Sequence, residues 1–415
     1  MGELKGACIF AQSGGPTSVI NASAAGVIQT ALKSPAITHV YGAAHGIKGI
    51  LTDVIYDMSQ EDARELDLLV NTPSSALGSV RYKLKHFDED ETDYIKILDA
   101  FRKYDIRYAF YNGGNDSMDT CNKINKYMRK AGYECRIIGV PKTIDNDLWG
   151  TDHCPGYGSA AKYIATSFME VSLDAKVYDK GMVIVVEVMG RNAGWLTAAS
   201  ALAGAKGLGP DLIYLPEQPF SIEKFLGDVE GVFTAHGSAI IAISEGLKGE
   251  DGTLVTEMTY RESGGVDAFG HAQLGGAAHI LGDIVKKNMK VKIRPIELSL
   301  LQRCAAHYAS RVDIEEAYAA GKAAVEQALD GASGCMVAFE RAPGSEYRCS
   351  MKLVDVTEAA NKEKKVPREW MNAECNGIER PFVDYALPLI QGDPRVEHED
   401  GLPRFARLKK VRAVL

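Results

Sequence analysis

Two acidic loops occupy matching positions of one α/β unit. Tyr111-Asn112-Gly113-Gly114-Asn115-Asp116-Ser117 ends the apolar run Tyr108–Tyr111, and Pro141-Lys142-Thr143-Ile144-Asp145-Asn146-Asp147 follows Ile137–Val140. The stretch between them, Met118–Ala131, has helical character. In a parallel sheet both loops emerge at the same carboxyl edge, where open α/β folds bind ligands. Gly113 and Gly114 let the backbone approach a ligand closely. Asn115, Asp116, Asp145 and Asp147 gather carboxylate and amide oxygens beside Lys142. That set suits a metal-bound phosphate and a proton transfer.

Further segments repeat the design. Ala11-Gln12-Ser13-Gly14-Gly15-Pro16-Thr17-Ser18 closes the first strand and enters a helix, whose N-terminal N–H groups form a small phosphate cradle. It is neither GxGxxG nor GxxxxGK[ST], so neither a dinucleotide fold nor a Walker P-loop is supported. In Ala76–Lys85, a Gly/Ser turn precedes Arg81, Lys83 and Lys85, which share one face if the segment is extended. Met182–Val188 leads into Met189-Gly190-Arg191, and Ile243-Ser244 leads into Glu245-Gly246. An arginine and a carboxylate at strand ends suit a sugar phosphate and its hydroxyls. Arg294 and Gln302-Arg303 add cations. Taken singly, each segment reads equally as a tight turn, a solvated edge or a surface charge. The recurrence of polar groups at strand ends is what random surface charge does not readily produce.

These loops need a scaffold. Strands are expected at Ala7–Ala11, Val40–Ala44, Tyr108–Tyr111, Arg136–Val140, Met182–Val188, Leu212–Leu215, Ala239–Ser244, Lys292–Glu297 and Cys335–Phe339. Helices are expected at Val19–Leu32, Glu61–Val70, Tyr94–Tyr104, Ala160–Ala175, Trp195–Ala203, Ile222–Ala235, Gly275–Asn288 and Val312–Leu329. Alternating β and α with buried strands implies an α/β protein with parallel, doubly wound sheets. A chain of 415 residues exceeds one ordinary core, so two domains are expected. The Gly/Pro-containing stretch Gly150–Gly158 is the candidate boundary. After Val356 the pattern turns polar, and the tail Arg404–Arg412 reads as an amphipathic segment docked on the body. With 46% apolar and 25% charged residues the composition is that of a soluble globular chain. A formal charge of −8 argues against a broad nucleic-acid surface. Eight scattered cysteines without a CxxC pair read as reduced, largely buried thiols of a cytoplasmic protein. No signal-peptide pattern or bilayer-spanning run is present, so no membrane association is expected.

The ordered motifs Ser13-Gly14-Gly15, Leu77-Gly78-Ser79 with Arg81, Gly113-Gly114, Pro141–Asp147, Met189-Gly190-Arg191, Glu245 and Gln302-Arg303 resemble those of the phosphofructokinase family over residues 5–340. The resemblance implies two Rossmann-like domains with the active site in the cleft between them. Residues 1–156 would be the phosphate-donor domain, completed by about 302–355. Residues 157–301 would be the sugar-phosphate domain, and 356–415 an extension packed on the body. It also implies that Asp145 is the base for the 1-hydroxyl of fructose 6-phosphate, aided by Lys142 and Asp147. Thr143, Ile144, Met189, Gly190, Arg191 and Glu245 would line the sugar site. Arg294 and Arg303 resemble 6-phosphate binders, and a homodimer or larger homo-oligomer would lend such cations between subunits. Mg2+ is the implied cofactor, held by Asn115, Asp116 and Asp147.

The donor follows from two positions. Relatives that use ATP carry glycine where this chain has Asp116 and Lys142. A carboxylate would repel and obstruct an α-phosphate, while an ammonium suits the end of a shorter donor. The pair resembles the pyrophosphate-dependent branch, with Gly14, Gly15, Arg81, Gly114, Asp116 and Lys142 holding the donor. The chain departs from the family pattern at Asn115, a neutral oxygen ligand in place of a carboxylate, and at Leu300 and Met182, where relatives place sugar-phosphate binders. An ATP-dependent kinase, a kinase of another phosphosugar such as sedoheptulose 7-phosphate, and a non-catalytic phosphosugar-binding subunit are the competing readings. Asp116 and Lys142 argue against ATP, and intact Asp145, Asp147 and Arg191 argue against a silent subunit.

Overall fold

The computed structural model describes residues 4–257, 276–344, 346–360 and 362–414. Its principal strands are β1 (Gly6–Gln12), β2 (Ile37–Ala43), β3 (Ile55–Asp57), β4 (Ile106–Gly113), β5 (Arg136–Pro141), β6 (Met182–Val188), β7 (Leu212–Tyr214), β8 (Ala239–Ser244), β9 (Lys292–Glu297), β10 (Cys335–Arg341) and β11 (Cys349–Asp355). They form one sheet in the order β11-β10-β5-β4-β1-β2-β3 and a second in the order β7-β8-β6-β9. The chain is thus an α/β protein with two doubly wound, parallel-rich sheets.

Side-chain alternation explains the layering. In β1, Ala7, Ile9 and Ala11 face one core, while Cys8 and Phe10 face the other. Helices Thr92–Lys103 and Asn115–Lys130 cover the first face, and Ile20–Ala31 and Arg311–Leu329 cover the second. β6 divides likewise: Ile184, Val186 and Val188 meet helix Tyr157–Ala175, and Val183 and Val185 meet helices Ile222–His236 and Ala277–Met289. Each expected strand coincides with an observed one within a few residues. The edges of the first sheet differ from the parallel expectation. β3 runs antiparallel to β2 and β11 antiparallel to β10. The link between β10 and β11 is too short for a parallel crossover, so a hairpin is the available connection.

The C-terminal extension touches both halves. Trp370, Phe382 and Tyr385 pack around Trp195, with ring centroids 6.0, 6.3 and 5.4 Å away. Farther on, the backbone N–H groups of Lys409 and Lys410 donate to Glu61 at 2.7 Å, and Ala413 N donates to Ile55 O at 2.9 Å beside β3. The polar tail therefore reads as charged because its cations border solvent while its backbone is bound. Among the described residues, no helix is long and apolar enough to cross a membrane.

Candidate active site

Register brings the two acidic loops level. Gly113 stands opposite Pro141 in the β4–β5 ladder, and Lys142 N donates to Gly113 O at 3.0 Å. β1 lies on the other side of β4, with Gln12 opposite Asn112. Three strand ends thus deliver the Ser13–Gly15, Gly113–Asp116 and Lys142–Asp147 segments to one edge. Gly14 has φ +77°, a conformation that favours glycine, and turns the first segment back toward the edge. Lys142 Nζ donates to Gly15 O at 2.7 Å.

The loop after β5 is held from behind. Asn146, between Asp145 and Asp147, is fully buried with φ +56°. Its Oδ1 accepts from Cys154 N at 2.9 Å, and its Nδ2 donates to Tyr385 Oη, also at 2.9 Å. Asp145 N donates to Thr143 Oγ1 at 3.1 Å. These bonds fix the orientation of both neighbouring carboxylates.

A second group of strand ends faces this one. Val188 stands opposite Ser244 in the β6–β8 ladder, so the Met189–Arg191 and Glu245 segments also leave level. Gly190, with φ +126°, is a position that other residues rarely adopt; its N–H donates to Glu245 Oε1 at 3.4 Å. Ser244 Oγ donates to Gly190 O, and Gln302 Oε1 accepts from Met189 N at 3.2 Å.

Between the groups lie two adjoining cavities. One, of about 410 Å³, is lined by Gly15, Arg81, Lys142, Thr143, Ile144, Asp145, Met189, Arg191, Glu245 and Arg303. The other, of about 660 Å³, adds Gly14, Lys83, Gly114, Asn115, Asp116, Asp147, Asn192 and Glu363. Gly15, Arg81, Lys142, Thr143, Asp145 and Arg191 line both. Arg294 lies elsewhere, exposed on β9 outside both cavities of its own chain. Lys85, expected to share a face with Arg81 and Lys83, lines neither cavity and pairs with Asp90 at 3.6 Å. Met182 is buried in the core against the second sheet, and Leu300 is exposed.

The electrostatics separate the titratable groups. Burial, then Asp147 and Glu245, push the Asp145 carboxyl up to about 7 against the opposing pull of Lys142. Burial lowers Lys142 to about 8, although Asp145 and Asp147 favour its charged form. Asp147 is likewise raised, chiefly by burial. The carboxylate contest near Lys142 is therefore won by desolvation.

A divalent cation fits the donor set. Asn115 Nδ2 donates to Asp147 Oδ2 at 3.1 Å, while Asn115 Oδ1 is buried without a hydrogen-bond partner. A hard cation takes such an amide oxygen beside a carboxylate.

Glu363 and Lys364 were missed in the sequence. The run Lys362-Glu363-Lys364-Lys365 reads as solvated charge, and only its position ahead of Val366-Pro367 hints at an ordered stop. In the fold Lys364 N donates to Asp147 O at 2.8 Å, and Glu363 lines the larger cavity.

Two doubly wound, parallel-rich sheets with polar loops at facing strand ends around a cleft define an α/β protein of Rossmann-like build, and the family model described as Phosphofructokinase matches residues 7–308. The chain belongs to the phosphofructokinase family. It is 45% identical over 406 residues, 97% of this chain and 96% of the relative, to a pyrophosphate–fructose 6-phosphate 1-phosphotransferase of Methylococcus capsulatus. A protein of the same name from Halomonas elongata is 44% identical over 407 residues, 97% of this chain and 96% of that one. The crystal structure of a pyrophosphate-dependent phosphofructokinase from Marinobacter aquaeolei matches with a TM-score of 0.89 at 42% identity, covering 99% of this chain and 98% of that one.

Proposed function

We propose that the chain transfers a phosphoryl group reversibly from inorganic pyrophosphate to the 1-hydroxyl of fructose 6-phosphate, giving fructose 1,6-bisphosphate and phosphate. The observation that carries the reading is the buried Lys142, whose Nζ donates to Gly15 O at 2.7 Å and so holds its charge at the donor turn, where it suits the end of a short donor. The printed names of relatives at 42–45% identity agree with it.

Pyrophosphate lies against the Gly14, Gly15 and Gly114 backbone, with Arg81 and Lys142 neutralising its charge. Fructose 6-phosphate lies toward Met189, Gly190, Arg191 and Glu245, with Arg303 toward its phosphate. Asp145 accepts the hydroxyl proton as the oxygen attacks the near phosphorus, and phosphate leaves. Asn115, Asp116 and Asp147 are the residues that would hold Mg2+, which supplies charge neutralisation to the donor oxygens when bound. Positioning and charge neutralisation carry most of the catalysis in such transfers. A raised Asp145 pKa places the base near its working range. We propose further that the protein is a homo-oligomer, in which Arg294 serves the sugar-phosphate pocket of a neighbouring copy.

The test is a coupled assay of purified protein with fructose 6-phosphate and either pyrophosphate or ATP. Turnover with pyrophosphate and little with ATP is expected. Preference for ATP would overturn the donor assignment.

A further inference from the structure

We propose that Tyr385, on the C-terminal extension, is a positioning residue for the transfer, its hydroxyl closing the loop that carries Asp145 and Asp147. The proposal rests on the reading of Asp145 as the base and adds a residue beyond the stretch 7–308 matched by the family model.

The loop has two sides. Asp145 and Asp147 line the larger cavity, while Asn146 between them is buried, with φ +56°, a conformation that asparagine takes more readily than most residues. A single peptide link separates Asn146 from each carboxylate, so a rotation of this residue moves both. Asn146 Nδ2 donates to Tyr385 Oη at 2.9 Å, and Tyr385 Oη donates to Asp152 O at 2.8 Å. One hydroxyl thus joins residues 146 and 152 of the same loop. The other Asn146 bond, from Cys154 N to Oδ1, stays within that loop. Among the described residues, Tyr385 is therefore what anchors the Asn146 side chain to the rest of the protein.

Tyr385 is itself held. Its ring centroid stands 5.4 Å from that of Trp195 and 5.3 Å from that of Trp370, and the Arg341 guanidinium lies 4.7 Å from its centre. Arg341 Nη1 donates to Tyr385 O at 2.9 Å, and Nη2 donates to Asp152 Oδ1 at 2.9 Å. Lys364 also meets the loop, its N–H at Asp147 O and its Nζ at Asp152 O, 2.8 and 2.7 Å away. Those two bonds reach backbone carbonyls, whereas Tyr385 engages the side chain between the two carboxylates. A misplacement of about 1 Å at a reacting group can cost about 10²-fold in rate. Ground-state binding draws on Gly14, Gly15, Arg191 and Glu245, which lie on other loops. Loss of the hydroxyl should therefore appear in kcat and not in KM.

The experiment compares full-length wild type with Tyr385→Phe and Phe382→Leu. Tyr385→Phe keeps the ring in its aromatic cluster and removes only the hydroxyl. Phe382→Leu, on the same helix Arg380–Ala386 and in the same cluster, loses packing and no bond to the loop. In Tyr385→Phe, kcat should fall about tenfold or more while KM for each substrate stays within about threefold of wild type. Phe382→Leu should lose at least as much thermal stability and keep kcat within about twofold of wild type. Hydrogen exchange read by mass spectrometry should quicken over residues 143–154 in Tyr385→Phe but not in Phe382→Leu. An unchanged kcat in Tyr385→Phe overturns the proposal, as does a rise in KM as large as the fall in kcat. A fall in kcat no greater than that of Phe382→Leu, or unchanged exchange over 143–154, overturns it too. The assays use whichever of pyrophosphate and ATP wild type turns over. A preference for ATP sinks the donor reading and leaves this comparison intact, because the loop serves either donor. If neither is used, the reading of the reaction fails, and the exchange comparison alone decides whether Tyr385 holds the loop.

Discussion

Lys142 Nζ reaches across the edge of the first sheet and donates to the carbonyl of Gly15 at 2.7 Å. The contact ties the acidic loop after β5 to the glycine turn after β1. A Cβ on Gly14 would stand only 3.1 Å from the same nitrogen, so the ammonium occupies the hollow of the turn.

Asp145 sets the first prediction. Asp145→Asn should keep the fold and sugar binding but lower kcat by about 10²–10⁴-fold, the usual cost of losing a general base. In wild type, kcat/KM should rise with pH toward about 7 as Asp145 loses its proton, and decline above about 8 as Lys142 loses its charge. The Asn variant should lack the acidic limb. Stability gives an independent check. The Asp145 pKa is raised from 3.8 to about 7, so the folded state binds more protons than the unfolded state between those values. The group's contribution therefore falls as pH rises through that window. Asp145→Asn should match wild type in thermal stability near pH 4 and exceed it at pH 8. Unchanged kcat would remove Asp145 from its role, and an unchanged stability difference across that range would show that its carboxyl is not raised.

The sugar side is separable from the donor side. Glu245→Ala and Arg191→Ala should raise KM for fructose 6-phosphate more than KM for pyrophosphate, because both residues leave strands of the second sheet. Steady-state kinetics with each substrate varied decides it. A larger effect on pyrophosphate would mean the two halves of the cleft are assigned the wrong way round.

What was legible in the sequence follows from chain locality. The strand-then-polar-loop pattern gave β4, β5, β6 and β8 and their loops, because a buried parallel strand reads as an apolar run and its carboxyl end as an abrupt polar stop. Asp145 and Lys142 were visible for that reason. Their pKa directions were not, since desolvation depends on groups such as Glu245 brought in from a distant strand. Glu363 was hidden because its run carries no apolar period, and its order comes from Leu148, Trp195 and Glu217, all remote in sequence. The exposure of Arg294 was equally unreadable: strand β9 fixes its backbone, while being an edge strand leaves its side chain outside the cleft.

That exposed arginine yields the third prediction. If a neighbouring copy uses it, Arg294→Ala should raise KM for fructose 6-phosphate although the residue lines no cavity of its own chain. Sedimentation should show a dimer or larger species at assay concentration. An active monomer, or a KM unaffected by Arg294→Ala, would sink the idea.

The donor choice is the sharpest test. Asp116 stands in the first turn of helix Asn115–Lys130 and is exposed at the mouth of the larger cavity. Solvent screens it there, so its repulsion of an α-phosphate is on the order of 1 kcal/mol at contact rather than the larger value of a dry cleft. Lys142 is buried and in contact with Gly15, so its loss both removes charge and opens space. Asp116→Gly alone should therefore admit ATP weakly, by about fivefold over wild type, the factor that corresponds to such an energy. Lys142→Gly alone should mainly raise KM for pyrophosphate. The double variant should use ATP better than either single one and pyrophosphate worse than wild type. Full ATP activity is not expected, because the substitutions build no new contacts for an adenine ring. Kinetics with both donors on all three variants checks the argument. A wild type that already prefers ATP, or an Asp116→Gly that gains none, would show that these two side chains do not set the donor.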